Sequence, residues 1–223
     1  MNTNPSVFTQ GAVSSLSTTK LIRNTYTLLS ITLLFSALMA GLSMTMQVSH
    51  GVSLFTLIGA FALIWLVLPR TANSAAGIGV VFAITGLLGF GLGPMLNSYL
   101  ALQNGSQIIM VAFGGTATIF LGLSGYALVT RKNFSFLGGM LFVGMLMVLV
   151  AALANIFMEI PALSLAISSI VILIMSGFIL YDTSRIVNGG ETNYVMATVG
   201  LYLSIYNIFV HLLHLLSAFS GRD

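Results

Sequence analysis

The chain is written in long apolar stretches separated by short polar ones, without the period-two alternation that marks a half-buried strand. Bounded by charge, proline or polar clusters, seven runs stand out: 26–46, 52–68, 75–96, 108–129, 134–157, 161–181 and 194–216. A hydrocarbon layer roughly 30 Å thick is crossed by about 20 helical residues, whereas a barrel strand takes only about 10. Runs of this length in lipid must satisfy their backbone amides internally, and a helix does so within one segment. The pattern predicts an all-α fold, a polytopic membrane protein built as a seven-transmembrane-helix bundle. The second run is the shortest and predicts an upright helix. Connections between runs are short and leave no room for a soluble domain.

Composition agrees. About a quarter of a soluble domain is charged, but here the charged fraction is 5%, with 57% hydrophobic residues and a mean hydropathy of +1.06. Placement of the few basic residues predicts topology. Lys20 and Arg23 precede the first run, Arg70 follows the second, Arg131 and Lys132 follow the fourth, and Arg185 follows the sixth. These loops share one side, and Arg222 is the only basic residue on the other. The positive-inside rule then puts the N-terminus in the cytoplasm and the C-terminus outside. The chain has no cysteine, which excludes disulfides, thiolate metal sites and cysteine nucleophiles. The first run lacks an A-x-A-type cleavage site and is too long for a signal h-region, so it reads as a retained anchor. No internal repeat is visible, and seven helices fit poorly with a transporter made of inverted halves.

Residues 1–19 carry no charge and many hydroxyls, including Ser6, Ser14, Ser15, Ser17, Thr18 and Thr19. They read as a disordered cytoplasmic tail, 1–19, ahead of a transmembrane domain, 20–223. Fully extended, the tail would reach on the order of 60 Å. It is either a solvated terminus without a role or a segment that a cytoplasmic partner can grasp.

Within the runs, Gly89 and Gly93, Gly114 and Thr118, and Thr118 and Gly122 have the four-residue spacing that lets membrane helices approach closely. All are expected to pack the bundle. In the last run Gly200, Ser204, Asn207, His211 and His214 recur every three or four residues and share one helix face. Polar groups facing lipid are costly, so this stripe should look inward or line a wet cavity. It is either a set of interhelical hydrogen bonds with interfacial histidines or a permeation or proton-sensing surface. Two histidines without thiols or an acidic cluster do not define a metal site, and no metal, cofactor or catalytic residue is expected. Asp182 closes the sixth run, about 32 Å along the helix from Pro161. Buried between helices it could gate an ion path by losing its charge, whereas at the interface it would be solvated and paired with Arg185. Arg70 is the other candidate counter-charge. Gly122, Leu123, Ser124 and Gly125 spell the G-x-S-G of intramembrane serine proteases. Helical rise puts Ser124 about 9 Å and His211 about 25 Å from the same face of the membrane, far beyond the reach of a general base. No enzymatic activity is expected.

GFILYDT at 177–183, LYL at 201–203, NIF at 207–209 and GPMLN at 93–97 resemble the Bax inhibitor superfamily, also called TMBIM. The likeness runs from Lys20 to the C-terminus, and that family has seven helices. LIRNTY at 21–26, FLGGM at 136–140 and GGETNY at 189–194, with the terminal Arg222 and Asp223, are similar to its bacterial YccA-type branch. The superfamily resemblance implies a pH-sensitive calcium or cation leak in which two aspartates on the last two helices share a site and an arginine latches one. Asp182 matches the first aspartate, Arg70 stands where the latch would be, and the second aspartate falls on Ser204. Asp182, Arg70, Ser204, Asn207 and His211 are therefore the candidate pH gate or ion pathway. Without the second carboxylate a divalent cation meets half the negative charge, so calcium is an open question. The branch resemblance implies an inner-membrane modulator that inhibits FtsH, the ATP-dependent membrane protease, and is itself a poor substrate of it. In that reading Met1, Asn2, Thr3, Asn4 and Pro5 lead the protease handle. Its partners are FtsH, the membrane proteins associated with FtsH, and the bilayer, with no nucleic acid. The modulator is the preferred reading and the leak its alternative.

Overall fold

The computed structural model describes the backbone of residues 5–220 and the side chains of residues 17–220. Its seven long helices are α1 (Pro5–Thr45), α2 (His50–Thr71), α3 (Ala75–Leu100), α4 (Gly105–Thr130), α5 (Leu137–Met158), α6 (Pro161–Val187) and α7 (Tyr194–Ser220). Each is long and apolar enough to cross a membrane, the crossing part of α1 being Ser17–Thr45. Each predicted run falls on its own helix, so the protein is an all-α, multi-pass membrane protein. Of the tail read over 1–19, residues 1–4 and the side chains of 5–16 lie outside the described residues, and Ser17, Thr18 and Thr19 stand on α1.

Helix ends follow local chemistry. Arg131 and Glu159 close α4 and α5 in the left-handed region, with φ of 50° at each, and Gln47 does the same after α1 at 48°. A left-handed residue stops the helix, and these polar side chains sit where a chain leaves lipid for water. The second helix runs past the bounds read from the sequence. It spans His50–Thr71, 22 residues, and with α5 is still the shortest of the seven. It is extended through a π turn at Leu63–Val67, which ends two residues before Pro69. Proline has no N–H and its ring crowds the carbonyl four residues back, that of Trp65; widening the turn relieves that clash and lets the helix continue to Arg70.

The last helix is the hub. α7 packs on α1, α3, α4 and α6, whereas α2 leans mainly on α3 and α5 on α6. α1 and α3 make the closest approach. A Cβ on Gly89 would lie 2.3 Å from the carbonyl oxygen of Ser36, and one on Gly93 would lie 2.2 Å from Ser43 Oγ. These two glycines pack as predicted. Gly114 and Gly122 have nothing within 4 Å of a Cβ, and Thr118 is exposed. α4 instead buries Ala112, Thr116, Ser124 and Ala127. Small residues occupy both its faces, and spacing does not say which face meets a neighbour.

At the end carrying Arg70, Arg131, Lys132 and Arg185, one loop is fastened to the α6–α7 turn and another to the last turn of α6. Asn193 Nδ2 donates to Ala72 O at 3.0 Å and to Asn73 Oδ1 at 2.8 Å. Ser184 Oγ donates to Lys132 O at 3.0 Å and accepts from the Phe134 amide at 2.8 Å. These bonds hold the neighbourhood of Asp182 in place.

Candidate functional site

Asp182 and the polar stripe of α7 lie along the seam between α6 and α7, Asp182 toward its basic end and the two histidines toward the other, with Ser204 and Asn207 between them. At the basic end Asp182 lines a cleft of about 130 Å³ with Arg185, Glu191, Met196 and Ala197. Its carboxylate rests on α7 at Gly200, where a Cβ would come to 3.0 Å from Oδ2. Glycine here lets the carboxylate lie against bare backbone. Among the described residues no hydrogen bond or ion pair holds Asp182.

Arg185 does not pair with Asp182. Gly189, with φ of +77°, turns the chain back after α6, and the amides of Gly190 and Glu191 bond Arg185 O at 2.8 and 3.1 Å. That fold-back brings Glu191 to Arg185, whose Nη2 lies 3.4 Å from Glu191 Oε2 and donates to Gly190 O at 2.9 Å. The guanidinium sits 5.5 Å from the centre of the Tyr181 ring. Of the two readings left open for Asp182, the one that pairs it with Arg185 is not met: a glycine turn gives Arg185 a different acid. Arg70 is exposed at the end of α2, and no ion pair joins it to Asp182 among the described residues.

Ser204 is buried and Asn207 half-buried, but both bond within α7: Ser204 Oγ to Gly200 O at 3.2 Å and Asn207 Nδ2 to Leu203 O at 2.8 Å. They face inward without bridging helices. At the far end the stripe does bridge. His211 Nδ1 is 3.1 Å, and His214 Nδ1 2.9 Å, from the same Oγ of Ser168 on α6.

Ser124 belongs to a different network. Its hydroxyl is hydrogen-bonded to Tyr26 on α1, and Thr183 Oγ1 lies 3.3 Å from Tyr26 and 3.4 Å from Ser124. The serine of G-x-S-G is thus tied into a three-helix hydroxyl cluster, while His211 and His214 are engaged at Ser168. Among the described residues no group of three or more His, Asp or Glu side chains could hold a metal.

Sequence reasoning passed over three contributors. Glu191 enters the Asp182 cleft only because of the Gly189 turn. Ser168 follows Ser164 by one turn, a spacing indistinguishable from other serines in apolar helices. Tyr202 is fully buried, its hydroxyl 2.6 Å from Ser36 Oγ and donating to Thr85 O at 3.3 Å, with its ring stacked on Tyr206. A tyrosine in the middle of an apolar run was the available signal, since its hydroxyl needs a partner in lipid.

Comparison with known proteins places the whole bundle. The family model described as "Inhibitor of apoptosis-promoting Bax1" matches residues 18–221. The chain is 52% identical over 210 residues to "Modulator of FtsH protease YccA" of Escherichia coli K12, covering 94% of each chain. It is 45% identical to an "Uncharacterized membrane protein" of Vibrio cholerae over the full length of both, and 46% identical over 202 residues to an uncharacterized protein of Pseudomonas aeruginosa, 91% of this chain and 90% of that one. A match across all seven helices, together with identity at this level along nearly the full length of its relatives, means that this chain belongs to the Bax inhibitor family.

Proposed function

We propose that this protein is a multi-pass protein of the bacterial inner membrane that binds and inhibits the protease FtsH, occupying it as a substrate that is hard to unfold. One observation carries the reading: 52% identity, over 94% of both chains, to a relative named as a modulator of that protease. A further relative is named an inner membrane protein. The basic loops orient the chain with its N-terminus in the cytoplasm and its C-terminus in the periplasm. Residues Met1 to Pro5 then enter the protease first. Extraction would next meet α1, which is locked to α3 at Gly89 and Gly93 and hydrogen-bonded to α7 through Ser36 and Tyr202. A chain that offers an easy end and a resistant body holds a processive enzyme without being consumed quickly.

The test is removal of residues 1–19. The truncated chain should keep its fold, judged by thermal unfolding in detergent, and live longer in cells, and affinity capture of the full chain should recover FtsH. An unchanged lifetime with no captured protease overturns the reading. The cation leak is the weaker alternative. It has the unpaired Asp182 in its favour, but Ser204 brings no second carboxylate and instead bonds its own helix. Flux through liposomes that Asp182→Asn alters would revive it.

A further inference from the structure

The α6–α7 seam ends, opposite the basic loops, in an arrangement with unusual proton demands. Ser168 is buried, with 2% of its surface exposed, and its one hydroxyl has three neighbours. Its Oγ donates to Ser164 O at 3.0 Å and lies within 3.1 Å of Nδ1 of both His211 and His214. A hydroxyl has one proton and two lone pairs. With its proton on the Ser164 carbonyl, it can only accept from the two rings, so both imidazoles must carry their proton on Nδ1. Even if the hydroxyl turned to one ring, the other would still have to donate. Each ring then presents Nε2 as a bare lone pair on the side away from Ser168, and no hydrogen bond reaches either Nε2 among the described residues.

We infer that His211, His214 and Ser168 form a proton-operated clasp between α6 and α7, closed when both imidazoles are neutral and opened when both are protonated. Protons suit the geometry better than a metal, because the nitrogens that converge are the Nδ1 atoms, already committed to Ser168. Protonation at Nε2 leaves the Nδ1–H bonds formally intact but places two positive charges side by side on one oxygen. Among the described residues no carboxylate pairs with either ring. On α6 the titratable residues Tyr181, Asp182 and Arg185 are at the other end; α4, packed on α7, has only Tyr126, also at the other end. α1 offers Lys20, Arg23 and Tyr26 near its start, and α3 offers Tyr99, whose phenol faces Ser217. On α7 itself stand Tyr194, Tyr202 and Tyr206. Glu159, in the turn that opens α6, is exposed. Like charges a few ångströms apart in a poorly hydrated seam repel strongly, and the contact that yields is the one they share. The inference stands apart from protease binding.

Histidine nitrogen NMR on the full chain in nanodiscs tests it. Three histidines give three ring signals, and His50→Asn removes the one outside the clasp. At pH 8 both remaining rings should be in the Nδ1–H form, and Ser168→Ala should release that preference in at least one. Hydrogen exchange at residues 211–220, corrected for the intrinsic pH effect, should lose protection by about tenfold or more between pH 8 and pH 5. In the double variant His211→Gln and His214→Gln, whose amides can still donate to Ser168, the loss should vanish. Nε2–H rings in the intact chain, pH-independent protection, or an equal loss in the double variant would overturn the clasp.

Discussion

Two stretches of this chain carry the same small-residue spacing and do opposite things. On α3, Gly89 and Gly93 bring the backbone against α1 so closely that a single methyl group would overlap the Ser36 carbonyl. On α4, Gly114, Thr118 and Gly122 repeat the interval and face away from the bundle. Four-residue spacing guarantees only that small side chains share a face. Whether that face is an interface depends on a partner helix at the right distance and rotation.

Substitutions can break or sharpen that contrast. The largest effect is expected from Gly89→Ala, where the methyl meets main chain that cannot swing aside, and a loss of about 3 kcal/mol is expected of such overpacking. Unfolding by steric trapping in bicelles would measure it, and a loss under a third of that would mean α1 can slide off α3. Tyr202→Phe removes the hydroxyl that joins α1, α3 and α7 and leaves Ser36 Oγ without that partner. The same assay should read about 1 kcal/mol for one buried hydrogen-bonded group. Gly200→Ala comes next, with a loss below about 1 kcal/mol, because the Cβ would press on a side chain that can rotate. Its signature should be faster reaction of Asp182 with a carbodiimide, mapped by mass spectrometry, as the carboxylate is pushed toward the cleft. Smallest of all, Gly114→Ala and Gly122→Ala should stay within about 0.5 kcal/mol of the parent, as surface changes usually do. A cost near that of Gly89→Ala would mean α4 meets another chain in the membrane.

Particular residues show what could be read in advance. Every crossing helix was visible, because an apolar run long enough to span lipid has few other fates. The inward aim of Gly200 and Ser204 was visible too, since a polar stripe at helical spacing has a cost if it faces lipid. Ion pairing was not: the three-residue interval left an Asp182–Arg185 pair open as one of two alternatives, and the Gly189 turn gave Arg185 to Glu191 instead. Nor was the extent of α2, which depends on a π turn ahead of Pro69.

The seven-helix membrane architecture was determined by the sequence alone, because hydropathy and length sum along the chain without reference to neighbours. The placement of positive charge that predicts its orientation is readable in the same way. Which glycines touch a neighbour, which acid Arg185 holds and which serine the histidines share were decided only by the tertiary structure. In water an apolar stripe tells a helix which way to turn, but in lipid both its faces are apolar. The rotation of each helix is then set by close packing and by a few hydrogen bonds between residues far apart in the chain.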